Sequence, residues 1–149
     1  MGNLIGTSTT EIAAPLDRVW ALVEAIEVAP EWQGGLNSLE PLQRDDQGRG
    51  TRCEVGVDIK VRTVKSIVRF SYDGPARLSW TQEKGDLKSV DGSWELEDLG
   101  DGRTRATYRI EVDLGRMLGM MVKGPLESGL RQMLAGARAG ELKARIEGG

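Results

Sequence analysis

The stretch RTVKSIVRFSYDGPARLSWTQEKGDLKSVDGSWELEDLGDGRTRATYRIEVDL, residues 62–114, reads as four consecutive antiparallel strands, 62–72, 76–83, 88–99 and 103–114. The joints are Asp73-Gly74-Pro75, Lys84-Gly85-Asp86 and Gly100-Asp101-Gly102, each built from residues that favour turns. Alternation is clearest in the last strand. Thr104, Ala106, Tyr108, Ile110, Val112 and Leu114 share one face, and Arg103, Arg105, Thr107, Arg109, Glu111 and Asp113 the other. Long strands with one apolar face must be covered, and the only large cover left in the chain is its C-terminal segment. A long curved sheet wrapped over one helix tends to leave a hollow, which is the first pointer to function.

Working outward, residues 3–12 read as a Thr-rich first strand. Ala14-Pro15 then opens a helix, with Pro15 in the first turn and Asp17 near its positive end. Val19, Trp20, Leu22, Val23 and Ile26 fall at helical spacing. Pro30 interrupts, and Pro30-Glu31-Trp32-Gln33 is expected to form a second short helical turn before Gly34-Gly35. Two further strands follow, 36–44 and 50–59, and in the latter Thr51, Cys53, Val55, Val57 and Ile59 alternate with Arg52, Glu54 and Asp58. Pro125 suits the start of a helix running to Ile146, with Leu126, Leu130, Met133, Leu134 and Ala137 as its apolar stripe. Gly129, Gly136 and Gly140 cluster beside Met133 on that helix, each costing about 1 kcal/mol relative to Ala. Close approach of helix to sheet would explain them, and so would room for a ligand.

Composition excludes much chemistry. At 149 residues the chain is expected to form one domain spanning residues 1–149, burying about 70% of its unfolded surface. Its 20 basic and 23 acidic residues give a net charge of −3, which argues against nucleic-acid binding. Arg103, Arg105 and Arg109 lie across the hairpin from Glu95, Glu97 and Asp91, and are expected to pair with them instead. Arg131, Arg138, Lys143 and Arg145 read as the solvated side of the last helix. No apolar run approaches the roughly 18 residues of a membrane span, and the N-terminus has no basic region followed by an apolar core, so a cytoplasmic location is expected. With one cysteine, Cys53, and no histidine, there is no internal disulfide, no Cys-based metal cluster and no Ser-His or Cys-His nucleophile pair. No cofactor or metal site is expected.

Several segments in this order carry a family resemblance. They are Ile12-Ala13-Ala14-Pro15-Leu16-Asp17-Arg18-Val19-Trp20, Trp32, Gly50-Thr51-Arg52, Tyr72-Asp73-Gly74-Pro75-Ala76-Arg77-Leu78-Ser79-Trp80, Asp91-Gly92-Ser93-Trp94, and the run from Gly100 to Tyr108. Together they resemble the polyketide cyclase/dehydrase and lipid-transport superfamily (START-like, or SRPBCC), especially its small actinobacterial-type members, over nearly the whole chain. The resemblance implies an α+β helix-grip fold: a seven-stranded antiparallel sheet wrapped around a long C-terminal helix, with two short helices after strand 1 and an apolar cavity between sheet and helix. Fold alone does not fix function. Members include polyketide cyclases, lipid and sterol carriers and ubiquinone-binding proteins.

Strand parity then assigns a candidate site. With Tyr108 inward, Val90, Gly92, Trp94 and Leu96 follow, leaving Asp91, Ser93, Glu95 and Glu97 outside. The expected cavity wall is Val64, Ser66, Val68, Phe70, Trp80, Trp94, Tyr108 and Ile110, closed by Met120, Leu130 and Met133. The same aromatics would serve equally as packed core. Residues 117–122, Met117-Leu118-Gly119-Met120-Met121-Val122, combine flexible apolar side chains with glycine, as either an adaptable lid or permanent core would. Tyr108 and Arg62 are the candidate polar anchors, and Ser66 offers a small hydroxyl. The function this supports is binding of a hydrophobic small molecule such as a lipid, isoprenoid, quinone or polyketide, as carrier or sensor. The alternative is an aromatic polyketide cyclase or dehydratase, using Tyr108 and Arg62 as donors. The expected partner is that small molecule alone, with no nucleic acid and no membrane insertion, and the chain a monomer or weak homodimer.

Overall fold

A computed structural model describes residues 3–148. Seven strands, β1 (Asn3–Ile12), β2 (Leu36–Arg44), β3 (Gly50–Asp58), β4 (Thr63–Asp73), β5 (Arg77–Gly85), β6 (Ser89–Gly100) and β7 (Arg103–Asp113), form one antiparallel sheet in the order β1-β7-β6-β5-β4-β3-β2. Every sequential pair from β2 to β7 is a hairpin, so the four strands read from residues 62–114 lie side by side. The turn between β6 and β7 needs its glycines: Gly100, Asp101 and Gly102 all have positive φ, at 82°, 55° and 72°. The Asp98 carboxylate accepts the Gly100 N–H at 2.9 Å, and Asp101 is a residue type that tolerates this region. Pro41, which cannot donate to a ladder, sits where β2, an edge strand, slips register.

Helix α1 (Leu16–Glu24) and a 3-10 helix (Ile26–Glu31) carry the chain from one edge of the sheet to the other. Pro15 caps α1 in an extended conformation rather than occupying its first turn, and the second short helix begins earlier than expected, with Pro30 inside it. After β7 come α2 (Gly115–Met121), α3 (Pro125–Arg131), a π-helical turn (Gln132–Gly136) and α4 (Arg138–Glu147). The C-terminal helix is therefore interrupted by a wide turn, marked by the Ala137 N–H donating to the Gln132 carbonyl at 2.8 Å. The Ser8 hydroxyl on β1 accepts the Ala139 N–H at 3.0 Å, just past the wide turn.

One buried cluster joins the inward face of the sheet to the helices, from Leu4 and Ile12 on β1 through Trp94, Tyr108 and Ile110 to Leu130, Leu134 and Leu142. On the outer face Arg105 pairs with Glu97 at 2.9 Å, as the hairpin register requires, whereas Arg103 turns to Glu11 on β1 at 3.0 Å. Ser93, expected outside with the acidic set, is buried, flanked in register by Ser79 and Arg109.

Candidate functional site

Between the concave face of the sheet and the C-terminal helix lies a cavity of about 120 Å³. For scale, an apolar cavity of about 150 Å³ holds a benzene ring. Strand alternation builds most of the wall. β4 supplies Ser66, Val68 and Phe70, β5 Leu78 and Trp80, β6 Val90 and Trp94, and β7 Tyr108, Ile110 and Val112. Four of these rings form a continuous chain: Phe70–Trp80 at 6.0 Å between centroids, Trp80–Tyr108 at 5.7 Å and Tyr108–Trp94 at 4.8 Å, all tilted. Tilted contacts at these distances are favourable for aromatic pairs beyond the area they bury. Trp32, from the loop before β2, extends the chain to Trp94 at 6.3 Å.

Ser66, Val68, Phe70, Trp80, Trp94, Tyr108 and Ile110 thus all lie on the cavity wall. Val64 and Leu130 are buried in the core outside the lining, and Met133 packs instead against Gly35, where an added Cβ would stand 2.9 Å from its methyl carbon. Met120 is 66% exposed, Met117 77% and Met121 50%, so α2 presents its methionines to solvent and buries Leu118. Met117, Met120 and Met121 are therefore not core, and none of the three is among the residues lining the cavity. Arg62 is at the surface, paired with Asp86 at 3.5 Å, rather than at the cavity. The Ser66 hydroxyl is already committed: it donates to the Gln82 side-chain oxygen at 2.7 Å, and the Gln82 amide donates to the Leu87 carbonyl at 2.8 Å. Of the helix glycines, a Cβ on Gly140 would meet open space and one on Gly136 would meet Gln132, so neither makes room for the cavity.

Sequence parity left part of the lining unassigned. Val55 and Val57 on the inner face of β3, Ile59 just beyond its end, and Ile26 and Ala29 from the 3-10 helix close one side. Val23 from α1, Leu36 and Leu39 from β2, Leu87, and Gln33, Leu134 and Arg138 complete it. Arg138 is the significant omission. It is 3% exposed, where the sequence placed it on the solvated face of the helix. The π turn supplies the reason. One extra residue in a helical turn sets everything beyond it back by about 100°, so position 138 takes the inward place expected of 137. Ala137 is accordingly only half-buried.

The electrostatics of the site centre on that guanidinium. Arg138 Nη1 donates to Glu141 Oε1 at 2.7 Å and to the Gly34 carbonyl at 3.1 Å. Glu141 Oε2 in turn accepts the Gly34 N–H at 3.0 Å, so the pair clamps the Gly34-Gly35 loop to α4. A Cβ on Gly34 would sit 2.9 Å from Glu141 Oε2, so the carboxylate would have to shift to admit one. The guanidinium carbon lies over the Tyr108 ring, 5.5 Å from its centroid. Burial pushes the Tyr108 phenol above its ordinary pKa, and the Arg138 charge opposes part of that rise. Arg138 Nε and Trp32 Nε1 are buried without a hydrogen-bond partner. Cys53 is fully buried, and desolvation, with a smaller contribution from Glu27, pushes its thiol up to about 11, which makes it unreactive. Among the described residues no group of three or more His, Cys, Asp or Glu side chains is placed to hold a metal ion, and no helix is long and apolar enough to cross a membrane.

A seven-stranded sheet gripping a C-terminal helix over an apolar cavity defines a START-like, helix-grip protein. The chain belongs to the polyketide cyclase/dehydrase and lipid-transport family, whose sequence model matches residues 12–138. Solved structures of the same architecture include a START superfamily protein from Mycobacterium smegmatis (TM-score 0.80, 20% identity, covering 97% of each chain). A protein from Thermus thermophilus superposes with a TM-score of 0.79 at 20% identity, again covering 97% of each chain. The ZhuI aromatase/cyclase from a Streptomyces species does so with a TM-score of 0.77 at 16% identity, covering 97% of this chain and 94% of its own. At these identities the likeness establishes the fold. A comparison with curated protein sequences finds no match.

Proposed function

We propose that the protein is a cytoplasmic carrier or sensor that holds a hydrophobic small molecule, of lipid, isoprenoid, quinone or polyketide type, between the sheet and the C-terminal helix. The observation that carries this reading is the cavity itself: about 120 Å³ of space left open among Val, Ile, Leu and aromatic side chains, where a packed core would have closed. Its few polar groups, Gln33, Ser66, Tyr108 and Arg138, fit the pattern of an apolar pocket with a small number of orienting contacts. Native mass spectrometry of the purified chain, followed by solvent extraction, tests it. The expected result is a discrete added mass that extracts into organic solvent, or one that appears on incubation with a fatty acid, a quinone and an isoprenoid alcohol in turn. A bare chain under all these conditions would refute the reading.

A second reading, an aromatic polyketide cyclase or dehydratase, is favoured by one observation: a phenol and a guanidinium, Tyr108 and Arg138, stand together on the cavity wall. Donors so placed would polarise a ketone oxygen while the walls fold the chain into a reactive shape. No carboxylate is among the lining residues, so water or an enolate of the substrate would have to serve as base. Turnover of a poly-ketone thioester to a cyclised product, lost in Tyr108→Phe, supports the enzyme. A product mixture identical to that in buffer leaves the carrier.

A further inference from the structure

We infer that α2 is a docking surface for an anionic lipid bilayer, with Met117, Met120 and Met121 entering the apolar edge of the membrane and Arg116, Lys123 and Lys88 meeting its acidic headgroups. None of these residues lines the cavity, so the surface stands or falls separately from the ligand-binding reading. Three of the five large apolar side chains exposed among the described residues lie on this one short helix; the others, Ile5 and Leu42, stand singly on the two edge strands. Single exposed apolar residues are ordinary, whereas a contiguous group marks a contact surface. At 100° per residue the three methionines fall within an arc of about 100°, and Leu118 holds the helix to the core. Methionine suits a fluid partner, because its side chain is unbranched and flexible and adapts to the shape it meets.

Charge selects the partner. The chain carries a net charge of −3, yet residues 114–126 contain Arg116 and Lys123 and no acidic residue. Both cations are exposed. The flanking carboxylates face other cations, Asp113 towards Lys88 at 3.9 Å and Glu127 paired with Arg131 at 2.9 Å. Lys88 is itself mostly exposed and stands beside Gly115, where an added Cβ would lie 3.8 Å from the Lys88 Cβ. Apolar side chains rimmed by cations match the two layers of an anionic bilayer surface, at which each Lys or Arg strengthens binding about fivefold. A second copy of the same face fits poorly, because a twofold contact would set these cations against one another. Seven residues of helix also fall short of the roughly 20–30 residues a side that a stable protein interface uses. A bilayer sets no such threshold, since it receives side chains one at a time.

The test is co-sedimentation of the purified chain with vesicles of phosphatidylcholine alone and of phosphatidylcholine with about 30% phosphatidylserine. The wild-type chain is expected to bind the mixed vesicles at least tenfold or so more tightly than the neutral ones, and to be released as salt rises from about 0.05 to about 0.5 M. Arg116→Gln with Lys123→Gln should weaken binding to mixed vesicles by about 25-fold, or about fivefold for each cation removed. Met117→Ala, Met120→Ala and Met121→Ala together should weaken it by about tenfold or more. No wild-type binding to mixed vesicles overturns the inference, and so does equal binding to both kinds. Vesicle binding unchanged by the methionine triple variant overturns the role of α2. A dimer in sedimentation velocity that the same triple change dissolves would make a second copy the occupant instead. Both sets of changes spare buried side chains, so thermal unfolding and calorimetric titration with acetophenone, a single-ring probe for the cavity, should stay close to wild type. The wild-type comparison of the two vesicle types decides the lipid assignment even without the variants.

Discussion

Replacing Gly92 by Ala is the sharpest structural test of the aromatic wall. Gly92 on β6 stands opposite Trp80 on β5, and the indole occupies the space a side chain would fill. A Cβ built on Gly92 would lie 2.5 Å from Trp80 Cζ2 and Nε1, where ordinary contact begins at 3.4 Å. The ring must therefore move by about 1 Å, and it cannot move freely along the sheet, since Phe70 and Tyr108 flank it at 6.0 and 5.7 Å. Its way out is into the cavity. Overpacking of this kind costs about 1–3 kcal/mol, while removing a strand glycine returns about 0.5–1 kcal/mol. The net expectation is a loss of up to about 2.5 kcal/mol, centred near 1.2 kcal/mol, or about 2–5 °C in Tm at this chain length. Thermal unfolding followed by Trp fluorescence measures that loss. Calorimetric titration with acetophenone should at the same time show weakened binding, because the displaced indole takes cavity volume. An unchanged Tm together with unchanged acetophenone affinity would show that the indole has free space beside Gly92, and the packed aromatic wall would be wrong.

Three further expectations follow from other parts of the molecule. Gly140→Ala, in α4 with nothing within 4 Å of the added Cβ, should stabilise by up to about 1 kcal/mol in urea unfolding and leave acetophenone affinity alone; destabilisation would mean that the helix is packed there after all. The Cys53 thiol, raised by burial from 9.0 to about 11, keeps its proton in the folded chain while the unfolded chain loses it, so stability should fall between about pH 9 and 11 by at most about 1.4 kcal/mol per pH unit, with no contribution below that window. Cys53→Ala should make the decline shallower in urea midpoints measured across that range, and an unaltered slope would contradict the assignment; Tyr72, whose phenol burial also raises, adds to the decline above about pH 10 in both proteins. The triple change Met117→Ala, Met120→Ala, Met121→Ala should alter stability by no more than about 0.5 kcal/mol per substitution and leave acetophenone binding intact, because these side chains are exposed and outside the cavity lining. A tenfold change in affinity would place α2 over the mouth.

The contrast between Tyr108 and Arg138 shows which parts of this site are legible in a sequence. Tyr108 was assignable because a strand has a period of two, set by the pleat and independent of what lies far away. Fixing one inward residue on β7 fixes Ile110 and Val112 with it, and the hairpin register carries the assignment across to Trp94 on β6 and on to Leu78 on β5. Cross-strand neighbours are close in sequence here, so local alternation was enough to find seven wall residues. Arg138 was out of reach for the opposite reason. Helical periodicity is reliable only while each turn holds the same number of residues, and the wide turn at Gln132–Gly136 resets the phase by one position. That turn depends on partners far along the chain. β1 brings Gly6 against Ala135 and the Ser8 hydroxyl to the Ala139 N–H, and the loop at Gly34 supplies the carbonyl that Arg138 meets. Arginine in an unbroken amphipathic helix would be placed on the wet side, as charge alone recommends. Met120 and Arg62 fall outside the lining, to which the C-terminal helix contributes Leu134 and Arg138. The irregular turn at Gln132–Gly136 thus sets a guanidinium into a wall that is otherwise mostly apolar.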